Sequence, residues 1–316
     1  MKNTHDPVWN VSLSTMWAMK NFHALEDFFI ATQQMRIAQI ELNHQINSGM
    51  LAGIDLSRYS FSSIHEPCPA DISTEQLKVR DWLVSSTDEA CRREGVKSVQ
   101  RSIDLARQIG APVIVIHAGS IPFDVEFENQ LRSLIHTGQR QSDTYNAILN
   151  QMKQLRSELA GPHFSAVKRS LAELLEYAGR AKICLGLENR YHYHEIPSPD
   201  ELAALLDLSG PETGDSACLG FIYDVGHAQV HSSFGFYSQD AWLNGFAPRM
   251  IGVHLHDVIG VKDHRAPGTG EVDFSRLAAS LPKDVFRTLE VRPDVSNEQM
   301  VASLNFLAEQ ACIRSV

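Results

Sequence analysis

Six hydrophobic segments of this chain end on a histidine or an acid: His65, His117, Glu188, Asp224, His254 and Glu290. His227 follows Asp224 by three residues, and His264 lies on the stretch after His254. A lone histidine at a strand end is ordinarily hydrogen-bonded to backbone, and a lone carboxylate is ordinarily ion-paired. Neither account explains six such ends in one chain. Imidazole and carboxylate together, with no thiolate among them, form a donor set for zinc, manganese, cobalt or magnesium. Gathering several carboxylates also demands a compensating cation, because like charges would otherwise raise their pKa values. The stretch Met250–Phe274 is the densest part of the pattern. Alternation puts Gly252, His254 and His256 on one strand face. Lys262, His264 and Arg265 follow on a basic loop closed by the turn signal Pro267-Gly268-Thr269-Gly270, which suits a metal and an anionic or polyhydroxy ligand.

The elements that must position these groups follow from hydrophobic pattern. Strands are expected at Val11–Trp17, Arg36–Asn43, Phe61–Glu66, Pro112–Gly119, Ile183–Arg190, Leu219–Val225, from Met250 to about His256, and Val285–Arg292. Gln39, Glu41 and Asn43 share one face of the second. Helical segments lie between the strands. The longest connection, about 120–180, is an extended helical stretch with pieces at Asn146–Leu159 and Ser165–Gly179, a candidate lid or oligomer contact. Eight strands alternating with helices imply a parallel sheet closed by crossovers. A length of 316 residues is normal for one such α/β barrel. The expectation is a single (β/α)8 barrel over 1–316 with a metal site at the C-terminal ends of its strands.

Composition bounds the rest. A hydrophobic share of 43% and a charged share of 21% are globular values. No apolar run is long enough to span a membrane, and no N-terminal signal pattern is present. The five cysteines form no C-x-x-C pair, which reads as reduced thiols in a cytoplasmic protein. A net charge of −10 argues against nucleic acid as a partner. No Rossmann or Walker spacing supports a nucleotide cofactor. The aromatic stretch His231–Trp242, with Trp17 and Tyr191–Tyr193, is a candidate cover for a sugar ring.

The ordered motifs Ile64-His65-Glu66-Pro67, Ile116-His117-Ala118-Gly119, Gly186-Leu187-Glu188-Asn189-Arg190, Asp224-Val225-Gly226-His227, His254-Leu255-His256-Asp257, Pro267-Gly268-Thr269-Gly270 and Thr288-Leu289-Glu290 resemble the xylose-isomerase-like TIM barrel superfamily. That superfamily holds sugar and sugar-phosphate isomerases and epimerases, and the endonuclease IV group of abasic-site nucleases. The resemblance implies one divalent metal on Glu188, Asp224, His254 and Glu290, with His254 preferred to His256 by the family's His-x-x-Asp pattern. It implies that Glu188 and Glu290 also move protons at adjacent carbons through an enediolate, on a sugar, sugar phosphate or polyol. Arg190, His227, Lys262, His264 and Arg265 would then orient hydroxyls or a phosphate. Two positions depart from the ketose 3-epimerase branch: His194, with Glu195 one residue later, stands where that branch has glutamate, and Gly260 where it has arginine.

The alternative within the resemblance is a zinc phosphodiesterase of the abasic-site nuclease type, for which His65, His117, His227 and His264 would be additional ligands. Lys262 stands where that branch has an aspartate, with Asp263 shifted by one, and the Asn43–Tyr59 loop carries only Arg58 as a fixed cation. A barrel that binds ligand or partner without catalysis, and a dehydratase, are further readings.

Overall fold

The protein is described here by a computed structural model covering residues 8–209 and 218–315. Seven strands, β1 (Trp9–Ser14), β2 (Ile37–Leu42), β3 (Phe61–His65), β4 (Val113–Ile116), β5 (Cys184–Glu188), β6 (Leu219–Asp224) and β7 (Met250–Leu255), run parallel. An antiparallel hairpin, β8 (Asp257–Ile259) and β9 (Lys262–Arg265), follows β7. The eighth parallel strand, β10 (Phe286–Leu289), pairs with both β7 and β1 and closes the barrel. Each expected strand is present but shorter. The hydrogen-bonded ladder ends about where the chain turns to place its last residue over the barrel mouth.

Both faces of such strands are covered, so they read as continuous hydrophobic runs rather than alternating ones. All four residues of β4, Val-Ile-Val-Ile, are buried. Inside the barrel the lower layer is apolar: Val113, Val115 and Ile222 pack with Ile251 and Phe286. Gly220 makes room for it, since a Cβ there would stand 2.4 Å from Cγ2 of Ile251. Above this layer the interior becomes polar, with Glu41, Ser63, His65, Glu188, Asp224, His254 and Glu290 all buried. The apolar layer is a floor, and the acids and imidazoles stand on it.

The connection after β4 is a helix at Glu126–His136 and one continuous helix, Asp143–Ala181, rather than two pieces. Pro162 removes one N–H donor from the second helix without ending it. That helix supports the loop after β5: Arg156 donates to the carbonyls of Tyr193 (2.9 Å) and Glu195 (3.1 Å) and pairs with Glu201 (2.7 Å).

Two expectations are overturned. Of the candidate cover, Tyr191 lines the central cavity, but the aromatic residues around 231–242 are packing. Phe234 and Phe236 are buried with Tyr193, Leu131, Tyr145 and Met152 in a second apolar cluster, and the rings of Tyr193 and Phe236 stack at 4.0 Å. Trp17 is buried as well, its indole N–H donating to the Val295 carbonyl. Nor are all thiols free. Cys184 and Cys218 form a disulfide across a Cα separation of 4.6 Å. The pairing of Leu185 with Leu219 makes the two cysteines lateral neighbours on adjacent strands, a relation that sequence spacing does not reveal. Among the described residues no helix is long and apolar enough to cross a membrane.

Candidate metal centre

The strand ends converge. His254 is completely buried, with acids at both ring nitrogens. Its Nδ1 lies 2.8 Å from Glu188 Oε1, 3.0 Å from Glu290 Oε2 and 3.8 Å from Asp224 Oδ2. Its Nε2 lies 3.1 Å from Glu41 Oε2. His65 Nε2 and His117 Nε2 each stand 3.6 Å from Glu188, one against each carboxylate oxygen. Four groups from four strands, His65, Glu188, His254 and Glu290, offer ligand atoms within 4.8 Å of one another.

Asp224 belongs to the edge of this set and to a second one with His227, His256 and His264. It ends β6 and caps the following helix, accepting from the His227 N–H at 2.7 Å. Asn189 holds it from β5, donating to the Asp224 carbonyl and accepting from its N–H, both at 2.8 Å. His256 Nε2 approaches both Asp224 oxygens at 2.9 and 3.0 Å, while its Nδ1 accepts from the His264 N–H. That contact requires Gly226, because a Cβ there would stand 2.0 Å from the His256 ring.

The arrangement has relatives. A family model described as xylose isomerase-like TIM barrel matches residues 72–310. The chain belongs to this family. An uncharacterized protein of Methanocaldococcus jannaschii is 26% identical over 205 residues, a stretch covering 64% of this chain and 57% of that one. Among solved structures, a D-tagatose 3-epimerase-like protein aligns with a TM-score of 0.62 at 18% identity, over 95% of this chain and 96% of its own. The 3-keto-D-glucoside 4-epimerase of E. coli aligns at 0.64 and 15% identity, over 95% and 99%. A Thermus thermophilus protein soaked with zinc chloride aligns at 0.58 and 22%, over 96% and 97%. At these identities the likeness establishes the barrel fold.

Within this xylose isomerase-like barrel the structure sorts the expected site residues. Glu188, Asp224, His254, Glu290, His65, His117, His227 and His264 gather at the mouth. Arg190 does too, paired through its guanidinium with Glu188 and with Glu195 at 3.5 Å. Lys262 is exposed on the hairpin and lies outside the residues lining the central cavity. Arg265 turns to the surface beside Asp294 at 3.5 Å.

The site also contains residues to which sequence reasoning assigns no role or only a secondary one. Glu41 comes from β2 and is held by Ser63 Oγ at 2.6 Å. The His44 ring lies 5.5 Å from that of His65 and 5.7 Å from that of His117. His256, left second to His254, fastens Asp224. Asp263, for which a one-residue shift was expected to matter, nevertheless reaches 3.6 Å from His227 Nε2 and 3.0 Å from His264 Nδ1. The hairpin explains this reach. His264 has φ 53°, which breaks strand alternation and lets neighbouring side chains face the same site.

Charge is balanced by imidazole and guanidinium. Burial alone would raise the Glu188 carboxyl, but Arg190, then His65 and His254, hold it well below the ordinary carboxylate range. Burial and its opponents act likewise on Glu290, kept low by His254 and His264. His254 moves the other way: burial would lower it, yet Glu41, Glu290, Asp224 and Glu188 hold it well above the usual histidine value. His264 is raised too, against burial, chiefly by Asp263. His44, by contrast, is lowered to about 4 by burial and by His65. Arg190 and the imidazoles of His65, His254 and His264 thus face the buried acids and offset their charge, each shifted toward its charged form.

These residues fit a divalent ion. Glu41 Oε1, His44 Nδ1, His65 Nδ1 and His117 Nε2 are buried without a hydrogen-bond partner. Buried polar atoms are normally satisfied, and converging carboxylate and imidazole donors of this kind suit a divalent ion.

Proposed function

We propose that this protein is a divalent-metal-dependent isomerase or epimerase of a sugar or related polyol. The observation that carries the reading is the convergence of two buried carboxylates, Glu188 and Glu290, on the same Nδ1 of His254 at the mouth of the barrel. Glu188, Asp224, His254 and Glu290 would hold the ion, which polarises a substrate carbonyl or hydroxyl as a Lewis acid. One glutamate takes the proton from the carbon beside the carbonyl, and the other returns a proton to the neighbouring carbon or the opposite face. Arg190 keeps Glu188 ionised and oriented. His227 and His264 line the same cavity as the two glutamates and orient hydroxyl groups. The sugar epimerases among the structural neighbours support this substrate class.

The test is substitution. Glu188→Gln and Glu290→Gln should each abolish turnover in a screen of metal-loaded protein against ketoses, aldoses and their derivatives, with circular dichroism unchanged. An active Glu290→Gln enzyme would sink the mechanism.

A second reading, a multi-zinc phosphodiesterase, is favoured by one observation: Asp263, His227 and His264 form a further cluster of donors beside the central four. Chelator-sensitive cleavage of an abasic duplex would support it. The net charge of −10 and the exposed position of Lys262 weigh toward the small neutral substrate.

A further inference from the structure

A second cavity opens beside the central one, sharing His44, Lys78, His117, Arg190 and Glu195 with it. We propose that it is a subsite for a neutral ring carried by the substrate, so that the substrate class is a glycoside or oligosaccharide rather than a sugar phosphate. The inference rests on the sugar reading of the metal centre.

The cavity measures about 210 Å³, enough for several water-sized groups. Its walls combine two chemistries. Leu77, Val84, Val99 and the half-buried indole of Trp82 supply apolar surface, and Thr74 and Ser98 supply hydroxyls. Both of those hydroxyl oxygens are buried without a hydrogen-bond partner. A ring with C–H faces and hydroxyl edges matches an aromatic wall next to hydroxyl groups.

The charge of the lining argues against phosphate. Arg190, the buried guanidinium shared by both cavities, already faces Glu188 and Glu195 and keeps only its Nε without a partner. Lys78 is exposed where the cavities meet, and Glu66, Glu75 and Glu195 line the side cavity with it. Three carboxyl groups around one exposed ammonium and one paired guanidinium form a poor phosphate site. The same lining imposes no charge penalty on a neutral ring.

The wall is also held firmly. Ser85 Oγ accepts from the Ser120 N–H and donates to the Ser120 carbonyl, both at 3.0 Å. The long helix Asp143–Ala181 grips the same segment, with Ser170 Oγ donating to the Val84 carbonyl at 2.8 Å and His163 Nδ1 lying 2.9 Å from the Ser85 carbonyl. Gly95 lets the helix Glu89–Ile109 approach, since a Cβ there would stand 2.5 Å from the Leu83 backbone. A wall fixed before binding lowers the ordering cost of binding a ring.

The experiment is calorimetric titration of metal-loaded full-length protein with matched sets: a hexose, the disaccharide in which it carries a second neutral hexose as its glycoside, and its 6-phosphate. Within the set that binds, the glycoside should bind about tenfold more tightly than the free sugar, and the phosphate should show no such gain. Trp82→Ala should bring that ratio to about one while leaving free-sugar affinity unchanged. Thr74→Val, a milder change, should reduce it in the same direction. Equal binding of all three ligands, a preference for the phosphate, or a ratio unchanged in both variants would overturn the subsite while the sugar reading stands. Binding of no member of any set would defeat the sugar reading and the subsite with it.

Discussion

At the scale of single residues, the centre is an exercise in satisfying buried acids. Glu41 shows how far this reaches. It offers its carboxylate to His254 Nε2, leaving Nδ1 to face Glu188, Glu290 and Asp224. A carboxylate behind a metal-binding imidazole fixes its tautomer and ring orientation, and losing it typically costs about 10- to 100-fold in metal affinity. Glu41→Gln should therefore weaken metal binding by roughly that factor, measured by competition with a chromophoric chelator, with no change in the far-ultraviolet circular dichroism. A second expectation follows from proton balance. Against burial, Glu41 and the other acids around His254 shift it well above the ordinary histidine range, and an ion at its Nδ1 competes with that proton. Raising the pH removes the competing protons, so affinity should rise with pH through neutrality and fall on acidification, by about tenfold per unit for each proton released. Titrations in buffers of different ionisation enthalpy should show proton release. Affinity independent of pH would mean that His254 is not a ligand.

At the scale of elements, the strands were legible and the loops less so. Parallel strands buried on both faces announce themselves as hydrophobic runs, and the residues at or within one position of their ends can be read directly as His65, His117, Glu188, Asp224, His254 and Glu290. Glu41 was visible as one polar residue on a face with Gln39 and Asn43. Nothing local ties it to His254, 213 positions away. Asp263 escapes a local reading because the charged, glycine-containing stretch after β7 has the pattern of an irregular loop, whereas a hairpin with a left-handed residue at His264 turns both side chains inward. The disulfide was missed for a related reason, since it depends on strand register. The floor beneath the site gives a prediction of its own. Gly220→Val would force a side chain against Ile251 inside the barrel and should destabilise by about 1–3 kcal/mol in denaturant unfolding. Metal affinity of the folded fraction should stay the same, because the clash lies in the apolar layer below the ligands.

At the scale of the whole molecule, the barrel accounts for the distribution of chemistry along the chain. Residues from β2 through β10 meet at one mouth because every parallel strand ends there. The long connection after β4 braces the loop after β5 and the wall of the side cavity from outside. The central claim is a single-metal sugar isomerase centre on Glu188, Asp224, His254 and Glu290, with the remaining imidazoles serving substrate. Metal content per chain tests it most directly, by elemental analysis of protein purified without chelator or metal-binding tag. The account predicts about one divalent ion per chain, lost in Glu290→Gln. Two to three zinc ions per chain would contradict it, making ligands of His65, His117, His227 and His264 and moving the chemistry to phosphodiesters.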